Sequence, residues 1–298
     1  MSCATTISNM YKSSCSQSLG QIQQYWLFKS SKSVSEINSL LEETWTTLIN
    51  QSSATRMYVQ SQKPTDVVVE IGEDIYTEGN TGFKEKGKDG KQSLTFTYSN
   101  ISLCKAQELK NLDGQNMFAY FVTENENILA TGNDDDIVTN EVKIFVSEPK
   151  PSDATGQGWK VNVRIELVQT TGIWTKSVDP FTANAWRPTQ LDGIKDVVFS
   201  NIAADISAKT VIFDVTSYCD NIEVIDLTDK TDFVVEVAST GVALTIASVT
   251  YNGNTATITV DVGTPLTAVL HNLRLKQQPA MTIKGFESKQ IYTFTPVA

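Results

Sequence analysis

Three consecutive aspartates, Asp134, Asp135 and Asp136, form the densest acidic cluster of the sequence. Oxygen-rich loops of this kind can bind Ca²⁺, which prefers carboxylate ligands. The spacing does not fit an EF-hand loop, and no glycine follows at the position where such a loop turns. We therefore interpret the cluster as a solvated turn that leads into a strand, with a weak calcium site as the alternative.

Few residues of the chain could act in catalysis. The single histidine, His271, lies in an alternating strand pattern and has no serine or cysteine motif beside it to activate. The motifs GxSxG, HExxH, GxxxxGKS/T and GxGxxG, which mark common hydrolases, metalloproteases and nucleotide-binding proteins, do not occur. The sequence thus predicts no catalytic residue, no cofactor and no enzymatic activity.

The charge of the chain excludes several classes of partner. The 298 residues carry a formal net charge of −10, and the pI is near 4.7. Binding to nucleic acid or anionic lipid needs Lys and Arg to neutralise phosphates, so neither is expected, although an acidic protein can guide DNA by repelling it. The sequence has no apolar run of about 18 residues and no signal-peptide pattern, so neither membrane insertion nor Sec-type secretion is expected.

The four cysteines, Cys3, Cys15, Cys104 and Cys219, are far apart in the sequence and include no CxxC pair. This spacing suits neither a zinc site nor a disulfide framework. We interpret them as free thiols, with a bond between Cys3 and Cys15 as the alternative.

The clearest structural signal lies between residues 242 and 262, where two strand patterns flank an Asn-Gly dipeptide. After the dipeptide, apolar and polar residues alternate strictly, which is typical of a strand with one buried face. A two-residue turn would place Val249 opposite Ala256, whereas a three-residue loop would place Ile246 opposite Val260. We favour the three-residue loop, because it collects the larger side chains on one face without a bulge.

The chain as a whole is predicted to be mainly β, with two β-rich domains. Residues 33–171 are expected to form a sandwich-like or barrel-like domain. Residues 193–298 contain about eight short strand-like segments, which indicates an immunoglobulin-like β-sandwich without the Cys–Trp–Cys arrangement of true immunoglobulin domains.

Two helices are predicted within the first domain, near residues 34–49 and 103–112, from apolar residues that recur every three to four positions. Ser33 and Glu36 have the spacing of a capping box at the start of the first helix.

Three segments of the sequence are candidates for contacts with other molecules. Residues 1–32 are predicted to be an N-terminal arm, in which Trp26 and Phe28 would pack on a neighbouring subunit. Residues 75–91 are rich in glycine and charge, which predicts a long exposed loop. In that loop Phe83, Lys84 and Lys86 are the candidate contact residues.

The third segment, residues 172–192, contains two prolines and little periodicity, so it is predicted to be a linker. Its aromatic residues Trp174, Phe181 and Trp186 could stack on a sugar ring or fill a pocket in a neighbouring subunit. Packing between the two domains is the alternative.

This order of segments, an aromatic arm, a β-rich domain with a long charged loop and a small immunoglobulin-like module, resembles the tail tube proteins of tailed bacteriophages. In that family the first domain closes hexameric rings through a continuous β-barrel. The long loop and the N-terminal arm bind the next ring, and the terminal module decorates the outside.

The resemblance implies a virion structural protein of the tail, assembled in the host cytoplasm and without catalytic residues. Its partners would be further copies of the chain in rings, other virion proteins, and DNA that passes through without specific binding, with no membrane involved. Two alternatives stay open: a capsid or head-decoration protein, and a glycan-binding or adhesin-type module that uses the aromatic residues of the linker.

Overall fold

The computed structural model describes residues 21–52, 54–60, 62–72, 75–78, 84–88, 90–132, 135–152, 158–168, 175–219, 221–276, 285–288 and 290–297. The chain divides into two compact units, Met1–Gly193 and Ile194–Ala298. The sequence predicts that the second module begins at residue 193, and the second unit of the structure begins at Ile194. Strands dominate both units, so the prediction of a mainly β chain is confirmed.

The first unit is built on one large antiparallel sheet, to which shorter strands are added. Its described strands are β1 (Ile22–Phe28), β2 (Ser33–Ser35), β3 (Tyr58–Val59), β4 (Asp66–Ile71), β5 (Ile75–Glu78), β6 (Lys84–Lys88), β7 (Gln92–Ile101), β8 (Asn116–Thr123), β9 (Ile128–Ala130), β10 (Asp136–Val138), β11 (Asn140–Val146), β12 (Lys150–Pro151), β13 (Trp159–Leu167) and β14 (Lys176–Val178). The large sheet has the order β14-β9-β8-β11-β13-β7-β4, and β1 pairs with β8 and β3.

This sheet wraps around a single apolar core. Strands β1 and β7 are separated in the sheet by β8, β11 and β13, yet their side chains meet in the interior. The rings of Tyr25 and Phe96 are 4.6 Å apart, and the hydroxyl of Tyr98 donates a hydrogen bond to that of Tyr25 at 3.2 Å. The first unit is therefore barrel-like.

The seam of the barrel lies between β1 and β4, which do not pair within the described part of the chain. A side-chain amide bridges it instead: Gln21 Nε2 donates to the carbonyl oxygen of Val67 on β4 at 2.9 Å. Beside the seam, Gln24 Nε2 donates to the carbonyl oxygen of Gln60, which follows β3, at 3.3 Å.

Among the described residues of the first unit, four segments are α-helical: α1 (Glu36–Ser39), α2 (Glu42–Ile49), α3 (Leu103–Lys110) and α4 (Pro180–Asn184). The single helix predicted near residues 34–49 is thus two short helices preceded by a strand. The N-cap of α1 is Ser35, whose hydroxyl accepts a hydrogen bond from the Asn38 amide. Instead of closing a capping box, Glu36 forms a 3.0 Å salt bridge with Lys176.

Strands β5 and β6 form a hairpin that continues the ladder between β4 and β7. Ile71 lies opposite Gln92, and Ile75 lies opposite Lys88, so the second pair is four positions further along each strand and the register is unchanged. Within the described residues, β5 and β6 pair only with each other. The described part of the segment predicted to be a long exposed loop is therefore mostly a two-stranded ribbon.

The second unit is a sandwich of two sheets. Its strands are β15 (Lys195–Asp205), β16 (Thr210–Ser217), β17 (Phe233–Val237), β18 (Ile246–Asn252), β19 (Thr255–Val260), β20 (His271–Leu275), β21 (Phe286–Ser288) and β22 (Tyr292–Phe294). One sheet has the order β18-β19-β16-β15-β21 and the other β17-β20-β22. Both sheets contribute to one core, in which the ring of Phe233 lies 5.6 Å from that of Phe213 on the opposite sheet.

The hairpin of β18 and β19 differs from both predicted registers. Ile246 does lie opposite Val260, but the register shifts between residues 246 and 248, and Val249 lies opposite Ile258. The turn consists of Gly253 and Asn254, because Gly253 adopts the positive φ of 63° that the first position of such a turn requires. The predicted loop without a bulge is wrong.

The interpretation of all four cysteines as free thiols is also wrong, since Cys104 and Cys219 are disulfide-bonded. Separation along the sequence does not limit how closely two residues approach in a folded chain.

We expect at most two of the four thiols to react with an alkylating reagent in denaturant without reductant, and all four after reduction. Intact-mass measurement would count the alkyl groups, and three or four before reduction would contradict the bonds.

The Tyr25–Tyr98 pair makes the stability of the barrel sensitive to alkaline pH. Burial raises the pKa of Tyr25 to about 12 and that of Tyr98 well above its usual value of 10.0. The unfolded chain loses these protons near pH 10 while the folded chain keeps them. The stabilisation is therefore complete below pH 10 and declines above it, by up to about 1.4 kcal/mol per pH unit for each tyrosine.

The matched variant carries Tyr25→Phe and Tyr98→Phe. We expect its free energy of unfolding to fall less steeply between pH 9 and pH 11 than that of the wild type, as measured by urea denaturation. Equal slopes for the two proteins would contradict a buried, protonated pair.

Candidate assembly surface

Strand β1 presents aromatic side chains on both of its faces. Tyr25 and Leu27 point into the barrel core, so the alternating residues Trp26 and Phe28 lie on the outer face. There the ring of Trp26 is 4.8 Å from that of Trp45 on α2. The outer aromatic cluster thus attaches α2 to the sheet.

Tyr120 on β8 completes this cluster, with its ring 5.2 Å from Trp45 and 5.8 Å from Phe28. Trp26 is 0% exposed and Phe28 is 1% exposed. Both predicted arm anchors are therefore buried within their own chain, and residues 22–28 belong to the central sheet. This corrects the expected role of the two residues, because a buried side chain is not accessible to a neighbouring subunit.

The predicted contact residues near the hairpin fall into two groups. Lys84 and Lys86 lie in β6, whereas Phe83 is outside the described residues. β6 has the sequence KEKGK, with three lysines against one glutamate. In a chain of net charge −10, this strand is a basic segment.

The described part of the predicted linker, residues 175–192, is packed on the first unit. β14 extends the large sheet by pairing with β9. The Thr189 amide and hydroxyl both donate to the carboxylate of Glu126, at 2.9 and 2.6 Å. The buried Lys176 contributes its salt bridge to Glu36. This segment is therefore an integral part of the first unit rather than a free connection.

The three aromatic residues predicted for contacts in this segment have different surroundings. Trp186 is buried, and its Nε1 donates to the carbonyl oxygen of Leu40 at 2.6 Å, beside a 2.9 Å bond from Asn184 Nδ2 to the same oxygen. Phe181 on α4 is 40% exposed. Trp174 lies outside the described residues. Trp186 therefore cannot stack on a sugar ring, while Phe181 remains accessible.

An apolar patch surrounds the point where α4 meets the turn between α1 and α2. Ile37 is 77% exposed, Leu41 is 42% exposed, and both flank Leu40, the residue that α4 contacts. The sequence gives no sign that Ile37 and Leu41 are exposed, because their helical spacing is typical of a face that points to the core.

Acidic residues lie around the same patch. The backbone carbonyl of Asp135 accepts a 2.8 Å hydrogen bond from the Glu36 amide, which places the aspartate cluster beside α1. The carboxylate of Asp136 accepts from the Ser33 hydroxyl at 2.9 Å, and Asp134 is outside the described residues. Within the described ranges, no group of three or more acidic, histidine or cysteine side chains is arranged to hold a metal ion.

His271 is a core residue of the second unit. It is 0% exposed, its Nδ1 donates to the carbonyl oxygen of Val269 at 2.7 Å, and its ring stacks on Phe294 with the centroids 5.7 Å apart. A fully buried imidazole has no access to a substrate, so the arrangement indicates packing.

Comparison of the sequence with protein-family models gives no match, and the same is true of the curated proteins. Within the described residues, no helix has both the length and the hydropathy needed to cross a membrane.

Proposed function

We propose that this chain is a non-enzymatic virion building block, a tail tube subunit that assembles into stacked rings around a channel for DNA. The observation that carries the proposal is the β5–β6 hairpin. It continues the β4–β7 ladder past the barrel-like sheet of the first unit, as a ribbon without further strand partners in the described residues.

An isolated two-stranded ribbon is marginally stable in water, and its open edges favour contact with another chain. Strand β5, Ile75–Glu78, covers about 10 Å, at roughly 3.3 Å per residue. A compact barrel with an arm of this length can reach a neighbouring copy. This supports assembly by repeated subunit contacts.

The charge of the chain supports a conduit for DNA. At a net charge of −10, the chain as a whole repels phosphates, and each lysine–phosphate contact avoided removes a source of friction for the moving polymer. The second unit, a separate sandwich, corresponds to the module that decorates the outside of the tube.

The disulfide bonding of Cys104 and Cys219 indicates the redox state of the surroundings in which the mature protein persists. Disulfides are rare in a reducing cytoplasm and persist in oxidising surroundings. The proposal therefore assigns assembly to the host cytoplasm and formation of these bonds to the released particle.

Negative-stain electron microscopy of the purified protein, over a range of salt concentrations, tests the proposal. Rings or hollow tubes are the expected result. A strict monomer under every condition, together with particles that lack the protein in their tails, would refute it. Decoration of empty capsids without tube formation would favour a head-decoration protein instead.

A further inference from the structure

Strand β18 forms an open edge of the second unit. Among the described residues it pairs with β19 alone, at one end of the five-stranded sheet. The side chains of Ala247, Ser248 and Thr250 are exposed, so the described part of the chain leaves this edge accessible. An open edge strand presents unpaired backbone N–H and C=O groups, to which a further strand can hydrogen-bond.

The ladder between β18 and β19 shows which backbone groups point outward. Asn252 and Thr255 flank the two-residue turn and lie opposite each other, so they exchange hydrogen bonds. Such pairs alternate along an antiparallel ladder, so Thr250 also bonds to β19, while Val249 and Tyr251 direct their N–H and C=O groups away from it. Outside the ladder, no backbone hydrogen bond of the described residues involves these four groups.

The sequence of β18 lacks the features that usually protect an edge. It reads IASVTYN, without a charged residue or a proline, and most of its residues favour strands. Short segments of this composition associate with identical segments. A register shift between Ile246 and Ser248 interrupts the ladder at one end, so the regular part is Ser248–Asn252. Self-pairing is therefore limited to this short stretch.

The charges of the second unit lie mostly elsewhere. Of its 18 charged residues, 17 lie outside residues 237–273, and Asp261 is the exception. Two carboxylates outside this range, Asp226 and Asp232, act electrostatically on the hydroxyl of Tyr251, whose side chain packs on the core rather than along the edge. Two copies of net charge −10 repel each other where charged surfaces meet. The β18 edge is thus a surface that a second copy can approach without bringing like charges together.

We propose that β18 pairs with β18 of a second copy across a two-fold axis that passes beside Thr250. Antiparallel pairing then joins Val249 of each copy to Tyr251 of the other through four backbone hydrogen bonds, and the two five-stranded sheets become continuous. Thr250 of each copy lies directly opposite its counterpart, in a pair whose Cα atoms are about 4.5 Å apart.

This contact stops at two copies and is weak. Both copies use the same edge, so no open β18 edge is left after pairing. One pair of short strands buries less surface than a stable dimer needs, so the pair forms at high protein concentration. A stack whose rings all face the same way has no two-fold axis between neighbouring copies. The contact therefore joins free copies or separate assemblies, and it goes beyond the proposed function without depending on it.

Opposite charges at position 250 test the pairing in the full-length protein. We expect Thr250→Lys and Thr250→Glu each to raise the dimer dissociation constant by about fivefold or more, because the axis places like charges directly opposite each other. An equimolar mixture of the two variants should pair at least as tightly as the wild type. Sedimentation velocity at high protein concentration, in a buffer in which stacked assemblies are absent, measures all three samples. Mixing could not reverse a folding defect in either variant.

The matched controls are Thr293→Lys and Thr293→Glu, which change an exposed strand threonine on the opposite sheet. They should behave like the wild type, alone and mixed. The proposal is wrong if the wild type stays monomeric up to its solubility limit, if Thr250→Lys associates like the wild type, or if the mixture is no tighter than its components.

Disulfide trapping separates failure of this inference from failure of the proposed function. The Cα separation at the axis lies within the range that a disulfide spans. With a mild oxidant at high protein concentration, Thr250→Cys should form a covalent dimer on a non-reducing denaturing gel, and reductant should remove it. Thr293→Cys should give no more dimer than the wild type. A dimer through position 250 would support the pairing whether or not tubes form, and equal yields for the two variants would overturn it.

Discussion

Replacing Trp26 by alanine is expected to lower the free energy of unfolding of the first unit by about 3–5 kcal/mol, the usual cost of removing a fully buried tryptophan. The side chain is 0% exposed and lies against Trp45, so the truncation leaves a cavity between α2 and the sheet. The loss should appear as a lower urea midpoint, measured by far-ultraviolet circular dichroism because the substitution also removes a fluorophore.

The control for this prediction is Ile37→Ala, a truncation of a side chain that is 77% exposed. Its effect on the free energy of unfolding should stay within about 0.5 kcal/mol. If Trp26→Ala kept full stability and lost assembly instead, Trp26 would be an arm anchor after all, and the assignment of residues 22–28 to the central sheet would be contradicted.

Removing the hairpin is expected to abolish assembly while the fold is retained. The ends of the deletion follow from the backbone pairing. The Gly72 amide donates to the Lys91 carbonyl oxygen at 2.8 Å, so these two residues can be joined by a tight turn. Replacing residues 73–90 with Asn-Gly supplies the two positive φ values that such a turn requires. Sedimentation velocity should then show monomers at concentrations where the wild type forms large assemblies.

A thermal melt is the control for this deletion. The shortened chain should retain a cooperative transition close to that of the wild type, since β5 and β6 pair only with each other within the described residues. Tubes that still form from the shortened chain would show that the hairpin is not the inter-ring contact.

Alternation of apolar and polar residues made the strands predictable, and the sequence therefore indicated the fold class correctly. It did not indicate which partner covers the second face of a strand. β1 is followed by polar residues and was assigned to an arm, but its outer face is covered by Trp45, which lies in a helix 19 residues beyond Trp26. Contacts of this kind are tertiary, and periodicity within one segment carries no information about them.

The hairpin was missed for a different reason. Residues 75–91 are rich in glycine and charge, and glycine and lysine have low strand propensity, so the sequence predicts a long exposed loop there. The strand conformation of Ile75–Glu78 and Lys84–Lys88 follows from the β4–β7 ladder, which fixes the register at Ile71 and has the same register at Ile75. Similarly, Glu36 fitted a local capping pattern but pairs with Lys176, which is 140 residues away in the sequence.

Electron cryomicroscopy of the assembled full-length protein tests the central claim most directly. The account predicts a hollow tube of stacked rings, with the barrel-like first unit around the channel, the sandwich outside, and each β5–β6 hairpin in contact with a neighbouring copy. A closed shell, or an assembly whose copies are joined only through the second unit, would contradict it.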